Sequence, residues 1–596
     1  MAGGVLLLLA LPLALLATAS PAAAAASPGL PRPLLTPRGG ADAALVRTSG
    51  GLVRGRTHAS GVTAFFGVPY AAQPVGARRF RPPAPVEAWA GVLDAERRDI
   101  TATACPQLDV ASQNLFGRED CLTVDVWVPP GTAAGGARGR PVMVYIHGGA
   151  FWLGDQLDYG LHDAGVLARD TGHVVVLVQY RLGVFGFFAA GALRAEDPEG
   201  STGNYGLQDQ REALRWVRDN AAAFGGDPDN VTIFGVSAGG MSVCAQVASP
   251  AAAGLFHRAI VQSGNCDSDY VFVPLDAALD KGDRYVATLG CRDDGDAAQV
   301  RRCLRAKTTG ELMDHAMYPK AAGEAGEAAG AIPSPNPPLA PVLPWTPTVD
   351  GSYLTGTPLE MIRTGAFNKV PFIMGNVKDE GSLFALALPF VDKHLDDVLS
   401  AEKMLRRVLG RLWRPEVVAE VLREFDARNF SSSFARVDAL ITSYMFVCSS
   451  RRTVREMRRQ GVPAWRYVFA ENRGTLAYKL LGDFHTTDMD FLFGPTVGGM
   501  TAREEALKNV VQRYWSNFAA TGDPNGNGGG GGSGADLRWP EGDRDAMLVL
   551  KFAPQEVEYN RYTDVCDFWD RVGEASDALP RGAAGGGGPN GESVGE

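Results

Sequence analysis

The sequence has little that would send a chain to nucleic acid, into a bilayer or around a metal ion. Lys and Arg number 57 against 67 Asp and Glu, for a formal net charge of −10, and no basic block stands out. A nucleic-acid partner needs a positive patch or stripe, so none is expected. Beyond residue 26 no run of 18 apolar residues occurs, and no transmembrane segment is expected in the processed chain. No Cys/His cluster has zinc-like spacing, so no metal and no cofactor is expected. Internal repeats are absent as well. What remains is ordinary globular composition, 45% hydrophobic and 21% charged.

The two ends stand apart from the rest. Val5 to Ala17 is an apolar run followed by Ala/Ser-rich sequence, so residues 1–26 are expected to be a secretory signal peptide, although no Lys or Arg precedes the run. Residues 581–596 are Gly-rich and polar, a disordered tail by composition. That leaves 27–580 as one domain. Eight cysteines suit an oxidising compartment. Asn230-Val-Thr and Asn429-Phe-Ser are glycosylation acceptors that matter only on a secretory route. Secretion, or residence in the secretory lumen, is the expectation.

Between the ends, buried-type strands alternate with helical patterns. PVMVYI, HVVVLVQYR (173–181), VTIF, AIVQSG (259–264), VPFIMGN (370–376) and AWRYVFA (464–470) are short and β-branched or aromatic. Leu207, Ala213, Leu214 and Val217 recur at helical spacing before the third of these, and 385–460 is mostly helical by pattern. Such alternation predicts an α/β fold with a large, mostly parallel central sheet flanked by helices. Residues 320–345 and the glycine run 526–534 interrupt it as surface loops, part of a wider set of helical and loop insertions.

One stretch carries the chemistry. VTIFGVSAGGMSVCAQVA (231–248) runs from a buried strand through Gly235-Val236-Ser237-Ala238-Gly239 into a small-residue helix. This is the strand, sharp turn and helix of a nucleophile elbow, with Ser237 at its tip. An acyl-transferring serine needs a base, an acid to orient the base, and amide donors for the oxyanion. After Ser237 only four histidines remain, His257, His315, His394 and His485. His485, in the polar loop GDFHTTDMDFLFG, is the candidate base. The acid follows the strand VPFIMGN, where either Asp379 or Glu380 serves equally well by position. His147-Gly148-Gly149-Ala150, after PVMVYI, has the small residues an oxyanion loop requires, with Ala238 supplying the amide after the nucleophile.

FFGVPYAAQPVGARRFRPP, EDCLTVDVWVP, HGGAF, YRLGVFGF, the long run from GNYGLQDQ to GVSAGG, VKDEGSLF, GDFHTTDMDFLFG and WSNFAATGDPN follow in order. With them the chain resembles the type-B carboxylesterase/cholinesterase family of α/β hydrolases, from about residue 45 to 575. The resemblance implies an α/β-hydrolase fold and a serine carboxylic-ester hydrolase acting on small-molecule esters. It implies Ser237 as nucleophile, Glu380 rather than Asp379 as acid, and His485 as base. Gly149, Ala150 and Ala238 would be the oxyanion donors, and Ser263 would support the acid from behind. It also implies disulfides Cys105–Cys121, Cys291–Cys303 and Cys448–Cys566, with Cys244 and Cys266 unpaired. A lipase acting at lipid interfaces and a non-catalytic adhesion protein are the alternatives the same resemblance allows.

Three positions depart from the pattern. Val236 stands where most relatives carry Glu. No tryptophan lies between Cys105 and Cys121, and Leu383 replaces an aromatic of the cholinesterase branch. Choline is held largely by cation–π contact with such rings, so acetylcholine is not the expected substrate.

Overall fold

The structure, a computed structural model, describes residues 43–577 except 99–102, 110–113, 133–138, 157–162, 269–270, 292–295, 317–342, 392–400, 411–412, 496–497, 527–536 and 543–544. The expected leader (1–26) and tail (581–596), and most of the two loops read at 320–345 and 526–534, lie outside the described residues.

Thirteen strands form one sheet. In chain order they are β1 (Ala43–Arg47), β2 (Leu52–Thr57), β3 (Thr63–Pro69), β4 (Val92–Asp94), β5 (Thr123–Val128), β6 (Arg140–Ile146) and β7 (Val174–Val178). Then come β8 (Gly226–Val236), β9 (Arg258–Gln262), β10 (Phe372–Val377), β11 (Ala464–Phe469), β12 (Ala546–Leu550) and β13 (Glu556–Tyr559). Across the sheet the order is β1-β2-β3-β5-β7-β6-β8-β9-β10-β11-β12-β13, with β4 beside β2. From β7 to β12 every pairing is parallel, while β1–β2, β2–β3, β3–β5, β5–β7 and β12–β13 are antiparallel. This is the α/β-hydrolase arrangement expected from the alternation of strands and helices.

Both faces of the parallel region are covered, which is why its strands are apolar throughout. Along β6, Val142, Val144 and Ile146 join one core with Leu214 and Val217 of α2 (Tyr205–Asn220) and Val243 and Val247 of α3 (Ala238–Ala248). The alternate residues Met143 and Tyr145 join the other core, with Leu167 of α1 (Ala164–Thr171) and Trp515 and Phe518 of the long helix Ala502–Thr521. The period of two sends successive side chains to opposite faces. The Ala502 helix starts in a capping box of Thr501 and Glu504 and stops at Gly522 in the left-handed region.

Four disulfides are formed. Cys105–Cys121, Cys291–Cys303 and Cys448–Cys566 join the expected partners. The fourth, Cys244–Cys266, corrects the expectation that these two stay unpaired. The reason is local: α3 packs on β9, and the loop after β9 brings Cys266 back to within 5.4 Å, Cα to Cα, of Cys244. No cysteine is left free among the described residues, and no helix among them is long and apolar enough to cross a membrane.

Candidate active site

Strand β8 ends at Val236 and α3 begins at Ala238, so the turn between them is a single residue, Ser237. Its backbone is forced to φ 58°, ψ −124°, a region that side-chain-bearing residues rarely occupy. The turn is held by the Ser237 amide donating to Gln262 O of β9 at 2.9 Å. It also needs a close approach of backbone to backbone. A Cβ on Gly239 would lie 2.0 Å from the carbonyl oxygen of Ile146, so only glycine fits there. Ser237 itself is half-buried, while Val236 before it and Ala238 after it are buried.

Glu380 follows β10 by three residues and is fully buried. Val377 donates its amide to Glu380 Oε1 at 2.9 Å, and the other oxygen, Oε2, lies 2.5 Å from His485 Nδ1. A carboxylate only accepts, so Nδ1 carries the proton and Nε2 presents its lone pair. His485 Nε2 is buried and has no hydrogen-bond partner among the described residues. The contact with Ser237 Oγ is therefore not closed in this geometry. Glu380 and His485 are far apart in sequence, yet their loops are laced together. Asp379 donates its amide to Asp483 O at 3.1 Å, Asp483 returns one to Asp379 Oδ2 at 2.9 Å, and Asp379 bridges Phe484 in parallel. The imidazole is flanked by Phe384 and Phe446, each with ring centroids 5.2 Å from it.

The loop after β6 turns sharply, with Gly149, Ala150 and Phe151 at φ 102°, 54° and 65°. Trp152 and Leu153 donate their amides back to Gly149 O at 3.1 and 3.0 Å. The amides of Gly149, Ala150 and Ala238 donate to no protein acceptor among the described residues. Ala238, as the first residue of α3, has no acceptor within its own helix. Ser263 lies just past the end of β9. Its amide donates to Gly375 O at 2.8 Å, and its buried Oγ has no hydrogen-bond partner among the described residues.

A half-buried serine in a strained elbow, a Glu–His pair and three backbone amides without a protein acceptor among the described residues are the kinds of group that acyl transfer employs. The family model described as the carboxylesterase family matches residues 42–569. The chain belongs to this family. Proteins similar to the chain include a cocaine esterase of Homo sapiens, 33% identical over 85% of this chain and 86% of that protein. They also include an acetylcholinesterase of Danio rerio, 30% identical over 86% of this chain and 85% of its own length. This carboxylesterase is accordingly a serine carboxylic-ester hydrolase.

Some groups beside the site were not anticipated from the sequence. Asp488 is buried in the loop that carries His485, and its Oδ2 accepts from Gln262 Nε2 and from Tyr467 OH, both at 2.8 Å. Burial pushes its carboxyl above the usual range, the two hydrogen bonds oppose this, and the charge of Glu380 adds to it. The motif GDFHTTDMDFLFG contained Asp488, but no spacing rule distinguishes a structural aspartate there from a solvated one. Val236 packs in the apolar core with Phe234 and Tyr145. Of the two sequons, Asn429 is exposed in a short turn, whereas the Asn230 side chain accepts from Arg258 Nη1.

Proposed function

We propose that Ser237, His485 and Glu380 are the nucleophile, base and acid of an acyl-enzyme mechanism in a secreted esterase. The observation that carries this reading is the 2.5 Å contact of Glu380 with His485 Nδ1, which leaves Nε2 as the buried acceptor for the serine proton. Ser237 Oγ attacks the ester carbonyl carbon, and its proton passes to Nε2. The negative charge that moves onto the carbonyl oxygen is received by the amides of Gly149, Ala150 and Ala238. Collapse breaks the C–O bond, and the alcohol leaves with the proton from Nε2. Water then attacks the acyl-enzyme by the same route and releases the carboxylic acid. Glu380 holds the ring in one tautomer and balances the imidazolium charge in both halves.

Four disulfides and the expected leader support secretion, and exposed Asn429 is the better glycan acceptor of the two. For substrate, the absence of a tryptophan between Cys105 and Cys121 and the presence of Leu383 favour neutral esters over choline esters. The test is hydrolysis of p-nitrophenyl acetate, butyrate and octanoate, with acetylthiocholine alongside, by wild type and Ser237→Ala. Activity on the neutral esters that disappears in the variant, with acetylthiocholine turned over poorly, is the expected result. A folded, disulfide-bonded wild type without esterase activity would overturn the reading and favour a non-catalytic relative.

A further inference from the structure

Behind the Glu380–His485 pair lies a carboxyl group that the chemistry above does not use. Glu380 opens into helix α4 (Gly381–Val391), and α5 (Ser433–Ile441) packs against it. The latter continues without a break through one π-helical stretch, Thr442–Val447, into α6 (Cys448–Arg459). A widened turn of this kind inside a helix often marks a functional site. Here it makes two contacts with the site. Phe446 packs against the His485 ring, and Thr442 Oγ1 accepts the amide of Gly381 at 2.9 Å. Thr442 in turn donates to Asp438 Oδ1 at 2.9 Å. The approach is tight, for a Cβ on Gly381 would stand 2.3 Å from the carbonyl oxygen of Asp438.

We propose, on the reading of Ser237, Glu380 and His485 given above, that Asp438 is a positioning residue for the acid. Through Thr442 it fixes the Gly381 amide, and so the turn that aims Glu380 at His485. Its ionisation adds a second negative charge behind that pair.

The groups around it define the sign of the effect. From the turn before α4 come Asp379 and Glu380, with Lys378 lying 3.8 Å from Asp379 and half exposed. Asp483, from the histidine loop, is bound to Asp379 rather than to Asp438. On its own helix Arg436 is paired with Glu402 at 3.3 Å. No cation among the described residues forms an ion pair with Asp438. Burial pushes the Asp438 carboxyl up to about 7, the Thr442 hydrogen bond opposes this, and the charges of Asp379 and Glu380 add to it. Above that range Asp438 is charged and favours the imidazolium that forms during attack; below it the charge is gone. The rate therefore climbs as pH passes through neutrality.

The experiment measures kcat and KM for p-nitrophenyl butyrate from about pH 5 to about pH 9. Wild type is compared with Asp438→Asn, Thr442→Val and Thr442→Ser, with thermal melts run on each. Asp438→Asn is expected to keep KM, to lower kcat at alkaline pH, and to move the ascending limb of kcat, which requires neutral His485, to lower pH. Thr442→Val is expected to lower kcat roughly tenfold through misplacement of the turn, and Thr442→Ser to restore it. A merely structural role would lower the melting temperature and leave the shape of the profile unchanged. That outcome overturns the proposal, as does a Thr442→Ser variant as impaired as Thr442→Val. If Asp438→Asn does not fold, the Thr442 pair still decides. If esterase activity survives Ser237→Ala, the nucleophile reading fails first and takes this proposal with it, a failure distinguishable from an unchanged pH profile.

Discussion

Ser237 occupies a backbone region that costs a side-chain-bearing residue on the order of 1–3 kcal/mol, so its surroundings must over-determine it. They do so through the Gln262 carbonyl, the close packing of Gly239 on Ile146 and the immediate start of α3. Glu380 is constrained differently, by one backbone amide and one imidazole, with no exposure to water. Replacing it with Gln keeps the shape but lets a side-chain amide face Nδ1, which favours the wrong tautomer. Glu380→Gln should lower kcat by about 10³–10⁴ with KM nearly unchanged. Steady-state kinetics on p-nitrophenyl butyrate check this, and a parallel fall in affinity would mean the residue shapes the binding pocket instead.

Between elements, helix Ala502–Thr521 makes a titratable contact with the residue that precedes β7. His173, just before β7, places Nε2 2.9 Å from Ser516 Oγ and 3.3 Å from Ser516 O. Burial is the main cause that lowers it from 6.5 to about 4, with Arg140 adding to it and the Ser516 carbonyl opposing. The unfolded chain thus binds a proton below about pH 6.5 that the folded chain refuses until about pH 4. Stability from this group is complete above the unfolded pKa and is lost as pH falls towards the folded one, up to about 3 kcal/mol in all. Urea unfolding at pH 7 and pH 5 should therefore give a smaller loss for His173→Gln than for wild type. An equal loss would place the acid sensitivity elsewhere.

For the molecule as a whole, the parallel centre of the sheet was legible because its strands are uninterrupted apolar runs separated by helical periodicity. The strands β12 and β13 were not, since AMLVL and EVEY are short and follow a glycine-rich run that gives no local pattern. Ser237 and His485 were readable from motif and chain order. Position left Asp379 and Glu380 equivalent and the family resemblance pointed to Glu380; in the fold Glu380 turns to the imidazole, while Asp379 laces the two loops together. Cys244–Cys266 was missed because pairing depends on where the loop after β9 returns, which no spacing in the sequence encodes. The helical pattern of 385–460 was legible, but not that it would set Thr442 and Asp438 behind the site, for the same reason.

The Cys448–Cys566 bond closes a loop of sequence separation 118 that contains His485, and it anchors the last helix, Thr563–Asp577, to α6. A protease that nicks the chain once anywhere inside that loop releases nothing. The two pieces should migrate together on a gel run without thiol and part only after reduction. A molecule that has been cut can thus keep its histidine tethered to the body that holds its serine, and its survival as one particle is set by reduction as much as by cleavage.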